Sequence, residues 1–247
     1  IHCGLVGSEM CIRDSKYPAN IFIEGEETAL FYGLETDGIY QTGDTTIGNA
    51  QAGDVRFVDQ NGDNVIDLAD RTIIGNPNPD YTFGINLSVR YKSFSLSALV
   101  NGVYGNDIIN GNLIQMGNAE GLFRNILSDA YHGAWRPERQ SNSYPRIGYI
   151  PSQGQPEFFA ATDRYVEDGS YLRLNNVTLG YDLPIKENNA IKSANIYVTG
   201  QNLLTLTNYS GFDPEITTFM WTGLINGVDW NGPPNSKNII IGLNINL

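Results

Sequence analysis

From Tyr81 to Tyr91 every odd position is apolar or aromatic (Tyr81, Phe83, Ile85, Leu87, Val89, Tyr91), and every even position is polar or glycine (Thr82, Gly84, Asn86, Ser88, Arg90). Successive side chains of a strand point to opposite faces, so this period of two predicts a strand with one apolar and one wet face. The alternation returns in Phe94, Leu96, Ala98 and Val100, set against Ser93, Ser95, Ser97 and one exception, Leu99. Val177, Leu179 and Tyr181 alternate with Asn176, Thr178 and Gly180. The last such stretch is Ile239, Ile241, Leu243, Ile245 and Leu247, interleaved with Ile240, Gly242, Asn244 and Asn246. A tyrosine stands at each limit of the first strand. A tilted strand that crosses a bilayer needs about 9–11 residues, with aromatic girdles at both interfaces. One such strand alone also suits a soluble antiparallel sandwich; its repetition favours a barrel.

The spaces between strands have their own pattern. Residues 16–80 read as loop, rich in Gly, Asp, Asn and Thr, with short strands near 20–23 and 28–32. A tight turn at Lys92 and Ser93 joins the first two long strands. A long loop, 104–168, follows; it carries a candidate short helix near 121–131 and then Pro137, Pro145, Pro151 and Pro156, which forbid a continuous strand or helix. Strand patterning resumes over 170–181, turns near 183–189 and continues over 194–204. A second long loop, 205–237, precedes the last strand, 238–247. Domain organisation is thus 16–80 as an extracellular loop region and 81–247 as barrel strands with two long loops. Short turns alternating with long loops is the layout of outer-membrane barrels. A loop of roughly 60 residues inside a compact domain reads as functional.

Composition narrows the class. With 15 Lys+Arg against 27 Asp+Glu, the formal charge of −12 argues against nucleic acid or an anionic surface as the main partner. The 27 glycines and 14 tyrosines, with few Lys and Glu, suit an all-β chain with Gly-, Asn- and Asp-rich turns. No run approaches the ~18 apolar residues of a transmembrane helix, which says nothing against a barrel. Residues 1–15 resemble translated adapter sequence and are set aside as a non-native segment. Both cysteines, Cys3 and Cys11, lie in it, so the remainder offers no disulfide, cysteine metal site or thiol nucleophile.

Three passages carry a family resemblance: residues 53–63 (GDVRFVDQNGD) running on to 74–79 (IGNPNP), residues 165–181 (YVEDGSYLRLNNVTLGY) and residues 198–215 (VTGQNLLTLTNYSGFDPE). In that order and spacing they resemble the C-terminal part of the SusC/RagA-type TonB-dependent outer-membrane transporters of Bacteroidetes, from about Gly33 onward. The resemblance implies an all-β fold: the last strands and long extracellular loops of a closed transmembrane barrel of about 22 strands with a plugged lumen, incomplete in this chain. It further implies residence in the Gram-negative outer membrane, a SusD-type lipoprotein as partner, glycan or peptide ligands, and import driven through the TonB complex by way of segments upstream. No enzymatic role is implied. The family's barrels usually end in an aromatic residue, whereas Leu247 stands last here.

One constellation has metal chemistry. Hard Ca²⁺ takes six to eight oxygens, which a twelve-residue loop supplies from positions 1, 3, 5, 7, 9 and 12. From Asp59 onward these are Asp59, Asn61, Asp63, the Val65 carbonyl, Asp67 and Asp70, with Ile66 as apolar anchor. Asn64 replaces the usual glycine at position 6, and Asp70 is one methylene shorter than the usual glutamate. A structural calcium loop and a metal-free cluster of Asx turns both suit this sequence.

Other signals are weaker. Glu167 and Asp168, or Asp213 and Glu215, suggest a glycosidase pair only if their separation suits one, and loop acids are usually solvated. His2 and His132 form no triad. Trp135, Tyr144, Tyr149, Trp221 and Trp230 fall in the long loops, either as ligand or partner contacts or as packing groups, with packing the favoured reading. The alternative of another class is a soluble, secreted Ca²⁺-binding β-sandwich that binds carbohydrate.

Overall fold

A computed structural model describes residues 11–12, 20–117, 125–148, 162–185, 191–215 and 225–246. In chain order the strands are β1 (Cys11–Ile12), β2 (Asn20–Phe22), β3 (Leu30–Leu34), β4 (Thr36–Ile39), β5 (Val55–Phe57), β6 (Arg71–Gly75), β7 (Tyr81–Tyr91), β8 (Phe94–Tyr104), β9 (Asp107–Asn110), β10 (Val166–Asp168), β11 (Tyr171–Asp182), β12 (Ser193–Thr207), β13 (Val228–Asp229) and β14 (Asn238–Asn246). Two short helices are α1 (Gly111–Met116) and α2 (Ser128–Gly133). The chain divides into two compact units: residues 79–106, 169–214 and 233–247 form one, and the segments between and before them form the other.

The first unit is a five-stranded antiparallel meander in the order β14-β12-β11-β8-β7. Its long strands stand where the alternation predicts them, and β7 has the predicted limits. β7 and β8 meet across Lys92 and Ser93, where Lys92 adopts a left-handed backbone (φ 54°). Antiparallel partners share a face, so the register sorts the side chains. Val89, Leu96, Leu179, Val198 and Ile241 form one row across all five strands. The next row on that face, at the turn end, is Tyr91, Phe94, Tyr181, Ile196 and Leu243. Between them on the opposite face run Arg90, Ser95, Gly180, Tyr197 and Gly242. Leu99 sits opposite Asn86 and Asn176, on the wet face, which accounts for the exception in β8.

A bulge keeps the apolar face continuous. In β11 the apolar positions change phase, from Leu172 and Leu174 to Val177, Leu179 and Tyr181. The register shifts between Leu174 and Asn176 against both neighbouring strands. A one-residue slip in a strand flips every later side chain, so the extra Asn175 restores Val177 to the face of Leu174. Against β12 the extra residue lies on the partner, where Asn202 and Leu203 stand against Asn175 and Asn202 takes φ 52°. Asparagine tolerates that conformation better than most residues.

The second unit has its own core. Phe31, Ile109, Ile114, Tyr165, Ile225 and Val228 are buried together, with Ile74, Leu113, Val166 and Trp230 packed against them. These residues come from the region before β7 and from both long excursions between sheet strands. β1, β2, β3 and β6 pair in one small sheet, and β10, β9 and β13 in another, with β13 parallel to β9. α1 starts where the Asn110 side chain accepts hydrogen bonds from the Asn112 and Leu113 backbone N–H groups, at 3.1 and 3.2 Å. Gly227 (φ 68°) has Pro77 and Phe31 so near that a Cβ would come within 2.6 and 2.9 Å of them; glycine alone suits both the conformation and the space. Of the expected helix near 121–131, residues 121–124 lie outside the described residues and α2 begins at Ser128. Of the segment 1–15, only Cys11 and Ile12 are described, paired with Phe22 and Ile21. Leu247 also lies outside the description.

Candidate functional site

The apolar face of the meander is its most distinctive chemical feature. Ile85 (58%), Leu87 (52%), Leu179 (52%), Ile239 (75%) and Ile241 (72%) are largely open. A sandwich would lay a second sheet over such a face; among the described residues none does. The open area has aromatic residues at both ends. Tyr81 stacks on Tyr104 at 5.1 Å at the excursion end, and Phe94 lies 4.7 Å from Tyr181 at the turn end. Water would not tolerate a contiguous patch of this size on a monomer. Lipid would.

The opposite face is polar and partly covered. Thr178 and Thr199 share a hydroxyl–hydroxyl hydrogen bond of 2.8 Å across β11 and β12. At the turn end Arg90 pairs with Asp182, and the Asn195 amide donates to the same carboxylate at 2.8 Å. Gly180 lies against Ser95, whose Oγ a Cβ would approach to 2.5 Å. At the excursion end Arg173 is 2% exposed. Its guanidinium donates to Asp213 Oδ1 at 2.6 Å and to Thr205 Oγ1 at 3.1 Å, and lies over the Tyr171 ring at 5.1 Å. Asn235 Nδ2 donates to the other Asp213 oxygen at 2.5 Å. Arg173 and Asp213 belong to two of the passages that carry the resemblance, yet their pairing is not legible from spacing. The one sequence hint is a lone arginine between Leu172 and Leu174.

The acidic loop is built from Asx turns. Asp59 accepts from the Gly62 and Asn64 backbone N–H groups, both at 2.7 Å, and these bonds to its charged form hold its carboxyl below the usual range, Asn64 contributing most. Asn61 and Asp63 accept from the N–H groups two residues ahead, each at 2.8 Å. Asn64 takes φ 64°, the left-handed geometry that position 6 demands. Asp67 and Asp70 form a capping box around residues 68–70, and the buried Asp70 also accepts from Gln60 N–H at 2.9 Å. Among the described residues no three His, Cys, Asp or Glu side chains converge as metal ligands would. Val65, the carbonyl candidate, lies in the same exposed stretch.

The loop aromatics are packed to different degrees. Trp135 is buried at 7% exposure, donates to Gln41 Oε1 at 3.1 Å and fills the space beside Gly53. Tyr144 is half-buried against Gly133, and Trp230 is half-buried over Gly111 and the core. Trp221 and Tyr149 lie outside the described residues. The acid pairs are engaged elsewhere: Glu167 accepts from Asn110 at 3.0 Å, and Asp213 is held by Arg173. Asp107, opposite Asp168 in the β9–β10 register, has its carboxyl raised, chiefly by burial and further by the Asp168 charge.

No protein-family model matches the chain. Curated proteins do. TonB-dependent receptor P3 of Formosa agariphila is 35% identical over 91% of this chain and 23% of its own length. TonB-dependent receptor P26 of the same organism is 30% identical over 90% of this chain and 23% of its own length. TonB-dependent receptor SusC of Bacteroides thetaiotaomicron is 28% identical over 76% of this chain and 17% of its own length. The chain therefore spans about a quarter or less of these relatives. Among solved structures, the RagAB peptide importer in its open-open state matches 97% of this chain and 24% of its own, at 27% identity and a TM-score of 0.74.

Proposed function

The chain belongs to the SusC/RagA-type TonB-dependent transporters, and from that premise we propose that β7, β8, β11, β12 and β14 are wall strands of an outer-membrane nutrient importer. The observation that carries this reading is the apolar face, open across five strands and ended by aromatic residues. In lipid that face needs no cover, and the barrel to which the strands belong leaves no unpaired backbone at its edges. The polar face then lines the lumen, and the excursions between strands form the extracellular side. There they meet a SusD-type lipoprotein and the incoming glycan or peptide, while energy comes through TonB. The protein moves its ligand and does not cleave it.

Growth tests the reading. Deleting the gene of the full-length transporter should abolish growth on one class of glycan or peptide oligomer and spare growth on its monomers. A deletion strain that grows normally on every oligomer the parent uses would contradict import.

The Asp59–Asp70 loop is proposed as a structural calcium site within this extracellular part. Support comes from oxygen at all six ligand positions and from the left-handed Asn64. Binding would draw Asp59, Asn61, Asp63 and Asp67 off their backbone N–H partners and onto the ion. Calcium should slow proteolysis within residues 59–70 relative to chelator; equal rates would leave the loop an Asx-turn cluster.

A further inference from the structure

Phe212, just beyond β12, is 70% exposed; outside the long strands no large apolar side chain among the described residues is as open. Its neighbours are the opposite, with Tyr209 5% exposed and Asp213 3%. The Asp213 carboxylate is fixed from two directions: one oxygen takes the Arg173 guanidinium of β11, the other takes the amide of Asn235. On the near side the Tyr209 N–H donates to Thr207 Oγ1 at 3.1 Å, and that hydroxyl donates to the Ser170 carbonyl at 2.9 Å. Gly211 lies so near the Tyr209 ring that a Cβ has no room. The chain on both sides of Phe212 is therefore held while its ring is left bare.

Position narrows what such a ring can meet. Arg173 stands in the wet-face row of Asn101 and Gly84, so the segment that Asp213 secures lies on the polar side of the sheet, at its excursion end. On the importer reading lipid lies on the other side, and a ligand arriving from outside passes this end before it reaches the plug. Chemistry narrows it further. Within 208–214 and 233–236 Asp213 carries the only charge, and Arg173 answers it; charge resumes at Glu215 and Lys237. The exposed polar groups of the two segments are the amides and hydroxyls of Asn208, Ser210, Asn235 and Ser236. A pyranose ring has a face of C–H groups, whose partial positive charge suits the negative face of an aromatic ring, and a rim of hydroxyls that amides and hydroxyls can partner. A peptide brings charged termini and side chains, for which these segments hold no unpaired charge. We propose that Phe212 is a stacking contact for a neutral oligosaccharide at the outer end of the lumen, and that Arg173 and Asp213 serve it as positioning residues. The proposal rests on the importer reading and names the ligand class for it.

The test uses cells with the full-length transporter in its own outer membrane. Growth is followed against concentration on neutral oligosaccharides from starch, xylan, mannan or mixed-linkage β-glucan, on oligogalacturonides, and on a peptone digest. The strains are wild type, the gene deletion, Phe212→Ala and Phe212→Trp, and in each the folded transporter and its co-purifying lipoprotein are quantified. Deletion should abolish growth on a neutral oligosaccharide. Phe212→Ala should keep both proteins at wild-type amounts and need about three- to tenfold more of that sugar for half-maximal growth. Phe212→Trp, which restores an aromatic face, should stay near wild type. Phe212→Ala growing as wild type, or losing as much as Phe212→Trp, would overturn the proposal. Loss of the transporter in Phe212→Ala would make the ring a packing group, and loss of the lipoprotein alone would make it a partner contact; either refutes stacking. A deletion that removes growth only on oligogalacturonides or peptone keeps the importer reading and refutes the neutral ligand. A deletion without effect on any source would instead count against the importer reading itself.

Discussion

Replacing Leu87 by arginine puts a charge on the open face of β7, between the tyrosines that bound the strand. Ten steps separate Tyr81 from Tyr91. At about 3.4 Å per residue and a tilt of about 45°, that is about 24 Å along the membrane normal, against an apolar band of about 25 Å. Leu87 lies one residue from the midpoint, about 2–3 Å from the midplane on the same geometry. There an arginine costs about 2–4 kcal/mol, which lowers the ratio of folded to unfolded protein about 30- to 900-fold. At Tyr91, near an interface, the cost falls to about 0–1 kcal/mol. Arginine at Asn86, on the wet face, should cost little. Denaturant titration of the full-length protein in liposomes, following its heat-modifiable folded form, measures the series. The reasoning is refuted if Leu87→Arg matches wild type, or if Asn86→Arg proves as damaging as Leu87→Arg.

Other residues give independent tests. Phe31 is fully buried in the core of the second unit, so Phe31→Ala should cost about 3–5 kcal/mol there and expose residues 20–78 to protease; unchanged cleavage would mean no such core. Backbone N–H bonds depress the Asp59 carboxyl, so their contribution is complete above the free-Asp value of about 3.9 and is lost as pH falls through the depressed one. Amide exchange at Gly62 and Asn64, corrected for its intrinsic pH dependence, should therefore keep constant protection from pH 7 to 5 and lose it only in stronger acid. Asp107 has the opposite sign. Burial and Asp168 raise its carboxyl, so local stability should fall as pH rises from about 3.9 through the raised value. Asp107→Asn, which can still accept from the Asn76 N–H, should abolish that dependence and strengthen β9–β10 pairing at neutral pH; a variant with the wild-type pH profile would refute the assignment.

How far the sequence could be read depended on the range of the signal. The long strands announce themselves because a period of two persists for about ten residues on one face. Leu99 looked like an error in that pattern and is a wet-face residue opposite Asn176. The change of phase in β11 needed a bulge, which no propensity predicts; only the register against β8 shows Asn175 to be the extra residue. The second unit was opaque for a different reason. Its strands are two to five residues long, too short for periodicity, and its core joins Phe31 to Tyr165 and Val228 across most of the chain. The Arg173–Asp213 pair was hidden likewise: the two residues are 40 apart, and neither neighbourhood names the other. Asp59, by contrast, works within six residues, so the Asx-turn reading of its loop needed no distant partner.

The central claim, that the apolar face of this meander meets lipid, is tested most directly by spin labels placed one at a time at positions 83 to 90 of the full-length transporter in bilayers. Collision rates are measured with oxygen, which concentrates in lipid, and with a water-soluble paramagnetic reagent. Oxygen collisions that peak at Phe83, Ile85, Leu87 and Val89, with lower values at Gly84, Asn86, Ser88 and Arg90, are the predicted result. Odd positions shielded from both reagents, as beneath a second sheet, or open to the aqueous one would contradict it.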